Sequence, residues 1–405
     1  MSMRLATSPR KAAAVKPIQK RIGIFLDGTW NQKQTQTNVW RLYMQMADGT
    51  FGHVHQIRKY FVGVGNKFGH WITGGAFAVG MTDIIRNAYM WLVEHYNDGD
   101  EIFLFGFSRG GYEVRALLGM LGSVGLMKPN SPMHIDQLWQ RYERTLDTHD
   151  VEALSLHQLK KLADVTNLDA ESKWMLQYCK EVNIKFVGVF DVVAADWGKV
   201  QKDGQNGQLI EHMCHALAID EHRSSFRASV WEDLDDDDNN DGRRAIDAGY
   251  DWLEQRWFVG AHSNVGGGIT NDELSHLPLK WIRDRAHDYG LDFRRDSDIE
   301  LDGEEVVRHA AQIDPSMTLM YQIMQLGQRF FRPIGSSKTL NETIDPSVLQ
   351  RLQDPTMEYA PKNLLDWAEG LKIDLMAMSP ALLSVKSGEV LKVADDTKTP
   401  AATSS

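Results

Sequence analysis

The stretch 104–111, "LFGFSRGG", sets Ser108 between Gly106 and Gly110 just where an apolar run ends. A serine hydroxyl is a poor nucleophile until a base takes its proton and a third group holds that base. Gly-x-Ser-x-Gly between a strand and a helix supplies the geometric half of this requirement. Gly106 and Gly110 permit a sharp, crowded turn that carries Ser108 Oγ clear of the backbone, and the next amide, that of Arg109, is placed to donate to an oxyanion. The pentapeptide alone says little. Its surroundings, "EIFLFGFSRGGYEVRALL", add the apolar strand before the turn and the helical pattern after it.

The partners of such a serine follow it in the order acid, then histidine. Asp191 follows "IKFVGVF" and His262 follows "RWFVGA", so both stand where buried strands run out. Asp196 is the rival acid, further from its strand end, and Asp191 is preferred. Of the 14 histidines, His262 alone directly follows such a run and precedes a Gly-Gly-Gly turn. The competing reading of His262 is a loop histidine satisfied by backbone. An oxyanion hole needs two N–H donors. Arg109 supplies one, and the loop "DGTWN" offers the other through Gly28 or Thr29. Asp27 is read as a brace for that loop rather than as a catalytic acid.

These residues need a framework. "RIGIFLDGTWN" (21–31) is an apolar run ending in Asp-Gly, as a buried parallel strand does at its C-terminal edge. Further strands are expected at 54–65, before Ser108, at 182–193 and at 255–268. Helices are expected from an N-cap at Thr82, after Ser108 and over 277–290. A helical insertion spans about 125–180 and would cap the sheet edge. Beyond 300 the pattern is helical. Strands alternating with helices predict an α/β fold with a mainly parallel sheet flanked by helices.

At 405 residues and 42% hydrophobic, the chain can bury a large core. Its net charge of −11 argues against a nucleic-acid partner, since phosphate binding needs an excess of Lys and Arg. Cys179 and Cys214 make neither a disulfide framework nor a metal set and fit a reducing cytosol. No cofactor or metal is called for. The expected organisation is a disordered basic arm at 1–20 (Arg4, Arg10, Lys11, Lys16, Lys20), a catalytic domain at 21–383 and a disordered tail at 384–405. No signal peptide or membrane span is evident, which suggests synthesis in the cytoplasm. The run "DLDDDDNNDG" (233–242) fails as an EF-hand, because Ala248 stands where the bidentate Glu belongs. A solvated acidic loop is the main reading and a looser calcium loop the alternative. "HALAIDEHRSSF" (215–226) is read as a polar network near the site, and Met317, Met320, Tyr321 and Met324 as a helical core stripe.

Taken together, "RIGIFLDGTWN", "YFVGVGN", "GDEIFLFGFSRGGYEVRAL", "FVGVFDVVAADWG", "HALAIDEHRSSF" and "RWFVGAHSNVGGG" resemble a bacterial and fungal α/β-hydrolase family. That family includes phospholipase effectors of type VI secretion systems. The resemblance runs from about 21 to 290. It implies a serine esterase of phospholipid acyl esters, with Ser108, Asp191 and His262 as its triad. It also implies export by the secretion system, a spike protein and an immunity protein as partners, and peripheral contact with a membrane. The family's last block has Asp after His-Ser where this chain has Asn264, and Gly111 stands where alanine is common. Two other readings stand beside it: a cytosolic carboxylesterase on another acyl ester, and a non-catalytic scaffold, against which the intact serine, acid and histidine argue.

Overall fold

Three apolar runs, at 22–26, 102–107 and 186–190, share one alternation: aliphatic side chains point to one face and phenylalanines to the other. That period of two places both faces of a sheet in the protein interior. The computed structural model describes residues 19–28, 36–51, 53–63, 75–145, 154–193, 209–232, 252–269, 273–294, 311–314, 329–336 and 338–391. Within them the strands are β1 (Gln19–Leu26), β2 (Gly49–Phe51), β3 (Val54–Phe61), β4 (Glu101–Phe107), β5 (Leu126–Met127), β6 (Cys179–Lys180), β7 (Ile184–Phe190), β8 (Met213–Ala218), β9 (Leu253–Phe258), β10 (Glu342–Ile344) and β11 (Leu383–Ser384). The helices used below are α1 (Asn38–Gln45), α2 (Gly75–His95), α3 (Arg109–Val124), α4 (Ile135–Thr145), α5 (Leu156–Lys161), α6 (Ala170–Tyr178), α7 (His262–Gly266), α8 (His276–Asp288), α9 (Pro346–Gln353) and α10 (Lys362–Leu371).

Nine strands form one sheet in the order β11-β10-β9-β8-β7-β4-β1-β3-β2. Pairing is parallel from β3 across to β10, and antiparallel only at the two edges, β2–β3 and β10–β11. The expected mainly parallel α/β fold is therefore what the chain adopts. The strand order reverses at β1, with β3 on one side and β4 on the other. Such a switch point opens a crevice at the carboxyl ends of the strands.

One face carries Ile22, Ile24, Leu26, Ile102, Leu104, Val187 and Val189 against α2 and α3. The other carries Phe25, Phe103, Phe105, Phe107, Phe186 and Phe190 against α1 and α8. Phe25 and Phe105 stack there with ring centroids 4.8 Å apart. A third cluster joins Trp257 and Ile344 to Val348 and Leu349 of α9 and Leu364 of α10.

Several expectations shift. Helix α2 starts at Gly75, seven residues before the expected cap Thr82. The insertion forms α4, α5 and α6, bracketed by the β5–β6 hairpin, and it buries Leu138, Tyr142, Leu159 and Met175 in the aliphatic layer. Residues 215–218, the start of the 215–226 stretch expected as a polar network, lie in the buried strand β8 (Met213–Ala218). The C-terminal segment, expected to be helical, adds strands β10 and β11 to the sheet. Within residues 384–391, expected in a disordered tail, Val385 is buried and its N–H donates to Glu342 O at 3.0 Å. Lys20, expected in the basic arm, lies in β1 and pairs with Asp100 at 2.6 Å. Residues 1–18 of the arm, the acidic run 233–242 and the methionine stripe lie outside the described residues.

Candidate active site

Parallel register aligns the strand ends. Leu26 of β1 stands opposite Gly106 of β4, Phe107 opposite Phe190 of β7, and Phe190 opposite Ala216 of β8. Asp27, Ser108 and Asp191 are the residues that follow, so all three emerge at one edge of the sheet.

Ser108 is the hinge between β4 and α3, at φ 57° and ψ −122°. A side-chain-bearing residue rarely occupies that region, and holding one there costs about 1–3 kcal/mol. The turn is anchored by Ser108 N–H donating to Phe190 O (3.0 Å) and by Gly111 N–H donating to Ser108 O (3.1 Å). Gly110 is required by close approach, since a Cβ there would run into the Leu26 carbonyl of β1. The strained turn is thus held on both sides by neighbouring strands.

His262 opens α7, four residues past the end of β9. Gly260 takes φ 111°, where L side chains are disfavoured, and its N–H donates to Asp220 Oδ2 at 2.7 Å. The His262 amide donates to Glu221 Oε2 (3.3 Å), and Asn264 Oδ1 accepts from Ala261 N–H (3.1 Å) and Asp314 N–H (2.9 Å). The imidazole lies between Phe107 and Phe226, with ring centroids 4.7 and 4.9 Å away.

The three side chains meet. Ser108 Oγ is 2.9 Å from His262 Nε2, and His262 Nδ1 is 2.5 Å from Asp191 Oδ2. Asp191, itself at φ 38°, is fully buried. An ionised carboxylate only accepts hydrogen bonds, so His262 carries its proton on Nδ1 and presents Nε2 as acceptor to Ser108. Burial resists ionisation of Asp191, but the charge of Arg332 and the hydrogen bonds from His262 and Arg332 outweigh it, holding the carboxyl well below its ordinary range. Burial lowers the basicity of His262, only partly opposed by Asp191. At neutral pH the arrangement is a neutral imidazole between a hydroxyl and a carboxylate. It can take a proton from Ser108 and stabilise the resulting imidazolium.

Asp27, which follows β1, accepts three hydrogen bonds among the described residues. Its Oδ1 accepts from Gly28 N–H (2.7 Å), and its Oδ2 accepts from Thr37 Oγ1 (2.5 Å) and Tyr60 OH (2.6 Å). Gly28 N–H is therefore engaged by Asp27. Thr29 and the rival acid Asp196 lie outside the described residues. Arg109 begins α3, and burial draws its guanidinium down to about 10 despite Glu113 one turn away.

Sequence reasoning missed Arg332, which donates to both oxygens of Asp191. The only signal was a charged residue inside the apolar run "RFFRPIG". His215, expected within a polar network near the site, lies beside the acid, and its Nε2 accepts from Val192 N–H at 3.2 Å. Among the described residues, His212, Cys214 and Glu254 bring possible metal-ligating atoms within 4.8 Å of one another. The Glu254 carboxylate is already paired with Arg285 at 3.0 Å and Arg256 at 3.4 Å, which opposes a cation there.

A mostly parallel sheet flanked by helices, with a serine at the strand-to-helix turn on its carboxyl edge, defines an α/β-hydrolase-like protein. The chain belongs to the family described as T6SS phospholipase effector Tle1-like, catalytic domain, whose sequence profile matches residues 20–285. It is also similar to "Uncharacterized protein YEL023C" of Saccharomyces cerevisiae, 28% identical over 228 residues, which are 51% of this chain and 32% of that protein. The chain thus spans about a third of that relative's length. A solved structure, described as that of an uncharacterised protein from Pseudomonas aeruginosa, aligns at a TM-score of 0.38 and 15% identity, covering 68% of this chain and 46% of the other.

Proposed function

We propose that this chain is a serine phospholipase that hydrolyses phospholipid acyl esters through an acyl-enzyme. The observation that carries the reading is the continuous hydrogen-bonded path from Ser108 through His262 to Asp191. Membership of a phospholipase effector family supports the choice of substrate.

In the proposed reaction His262 Nε2 takes the Ser108 proton as Oγ attacks the ester carbonyl. The negative charge moves to the carbonyl oxygen, held by the Arg109 amide and a second amide from the loop after β1. Gly28 N–H donates to Asp27 Oδ1, and Thr29, the other residue expected to supply that donor, lies outside the described residues. The C–O bond to the leaving group breaks, and His262 returns its proton to the departing lysophospholipid oxygen. Water then repeats the sequence on the acyl-enzyme, with His262 as base, and releases the fatty acid. Asp191 remains ionised throughout and offsets the imidazolium charge.

No helix among the described residues is long and apolar enough to cross a membrane. We further propose that it acts as an antibacterial effector exported by a type VI secretion system.

The test is mass spectrometry of mixed phospholipid vesicles after incubation with wild type and with Ser108→Ala. Lysophospholipid and free fatty acid from wild type alone are expected, and the products identify the acyl position cut. Turnover of a short-chain nitrophenyl ester without lipid release would instead indicate a carboxylesterase for another substrate. Inactivity on both would favour the scaffold reading.

A further inference from the structure

The family match ends at residue 285, yet a residue well beyond it reaches the centre of the site. Arg332 is 1% exposed, and its guanidinium makes five donor contacts. Nη1 donates to Asp191 Oδ1 (2.5 Å) and Ala218 O (2.9 Å). Nη2 donates to Asp191 Oδ2 (3.0 Å) and Phe226 O (2.6 Å), and Nε donates to Phe226 O (3.2 Å). Arg332's own carbonyl accepts from Asn363 Nδ2 of α10 at 3.2 Å, tying the fork to the C-terminal cluster.

We propose that Arg332 is a positioning residue of the acyl-transfer site, fixing the Asp191 carboxylate toward His262 and sharing its charge so that the imidazole stays neutral until Ser108 releases its proton. This rests on reading Ser108, His262 and Asp191 as a triad.

The argument has a geometric and an electrostatic part. With Ala218 N–H also donating to Oδ1 at 2.9 Å, Asp191 has two partners on each oxygen, one of which is His262 on Oδ2. A carboxylate so held cannot rotate without breaking several bonds in a buried site, where lost partners are costly. A planar guanidinium can grip both oxygens at once, which an ammonium cannot. The same fork also holds the Phe226 carbonyl, and the Phe226 ring meets the imidazole edge-on.

Electrostatically, a fully buried carboxylate touching an imidazole favours the imidazolium, and a fixed cation on the same carboxylate opposes this. Among the described residues, the other charged and titratable groups near the pair are these. Glu221 and Arg223, after β8, are bonded to each other at 2.8 Å. His215 of β8 is drawn down to about 3 by burial and is neutral. Arg115 of α3 faces His215 and stacks on Trp231 at 4.1 Å. Arg332 is the cation in direct contact with Asp191.

The test compares full-length wild type, Ser108→Ala, Arg332→Gln and Arg332→Lys by circular dichroism and by kcat and KM on a nitrophenyl ester across pH. Arg332→Gln is expected to lower kcat at least ~10-fold with little change in KM, and to move the acidic limb of kcat/KM up by about one pH unit, as the imidazolium loses its competitor. Arg332→Lys should restore the acidic limb, because charge returns, but not kcat, because the fork does not. Folded variants with wild-type kcat and an unmoved limb would overturn the proposal. Should Arg332→Gln not fold, Arg332→Lys decides alone: kcat within twofold of wild type would rule the fork out. An active Ser108→Ala would bring down the triad reading itself, whereas an inactive Ser108→Ala with indifferent Arg332 variants would remove only this inference.

Discussion

Ser108 Oγ and His262 Nε2 lie 2.9 Å apart although 154 positions separate them in the chain. The contact exists because two parallel strands end on the same edge and each hands its chain to a helix there. Ser108→Ala removes the nucleophile without touching the buried scaffold. Ester cleavage is expected to fall by roughly 10⁴-fold or more, with an unchanged circular dichroism spectrum. Fatty-acid release above about a tenth of wild type would exclude Ser108 as the nucleophile.

The backbone at Ser108, φ 57° and ψ −122°, stores strain that a glycine would relieve. Ser108→Gly is therefore expected to inactivate the protein while stabilising it by about 1 kcal/mol, less the lost hydrogen bond to His262. Urea unfolding of the two proteins and of Ser108→Ala measures this. A Ser108→Gly no more stable than Ser108→Ala, which loses the same hydrogen bond, would mean that the turn is not strained.

The pH dependence of turnover follows from His262. Burial holds its basicity below the ordinary imidazole value, so the neutral base persists as pH falls below about 6.5. The acidic limb of kcat/KM is expected below that pH, and activity should be lost as pH drops through the depressed value. Asp191→Asn disturbs the tautomer and the charge together and should lower kcat by roughly 10³–10⁴-fold. A pH–rate profile with its acidic limb above 6.5 would contradict the assignment of His262 as base.

His215 makes a separate prediction about stability. Its folded value is about 3, against an ordinary 6.5, because burial outweighs the attraction of Asp191. The unfolded chain then binds more protons than the folded one between those values. His215 thus contributes stability above pH 6.5 that is lost as pH falls toward 3. Urea unfolding of wild type and His215→Gln should show a shallower pH slope for the variant within that window. Equal slopes would show that His215 does not titrate in this way.

Two glycine substitutions should have opposite signs. At Gly110 a Cβ meets the Leu26 backbone, whereas at Gly370 in α10 nothing lies within 4 Å. Gly110→Ala is expected to cost about 1–3 kcal/mol, because the obstacle is a strand rather than a movable side chain. Gly370→Ala is expected to stabilise by about 0.5–1 kcal/mol through helix propensity. Thermal melts of the two variants check the contrast.

Much of the framework was legible where local chemistry carries it. The apolar runs of β1, β4, β7 and β9 and the helical patterns of α3 and α8 each sit within one short window. Strand β8 was harder to read because His215 interrupts "MCHALA". Its ring is accommodated only because Val192 N–H and Gln255 Oε1 meet its two nitrogens, contacts that do not exist until the sheet forms. Strand β10 is three residues long, too short for periodicity to register, and it becomes a strand by pairing with β9.

The same division holds at the site. The turn "GFSRGG" and the position of Asp27 are encoded by neighbouring residues, through backbone permissiveness and an acid at a strand end, so their places at the sheet edge could be read before any contact was known. The family, too, was recognisable from ordered local blocks. Which carboxylate and imidazole meet at Ser108 depends on parallel register across β4, β7, β8 and β9, which sums many weak pairings far apart in the chain. Arg332 is the extreme case, 141 positions from Asp191. An arginine in an apolar run carries no address in its own sequence, and only the folded sheet, by burying a carboxylate that needs a partner, decides where its charge goes.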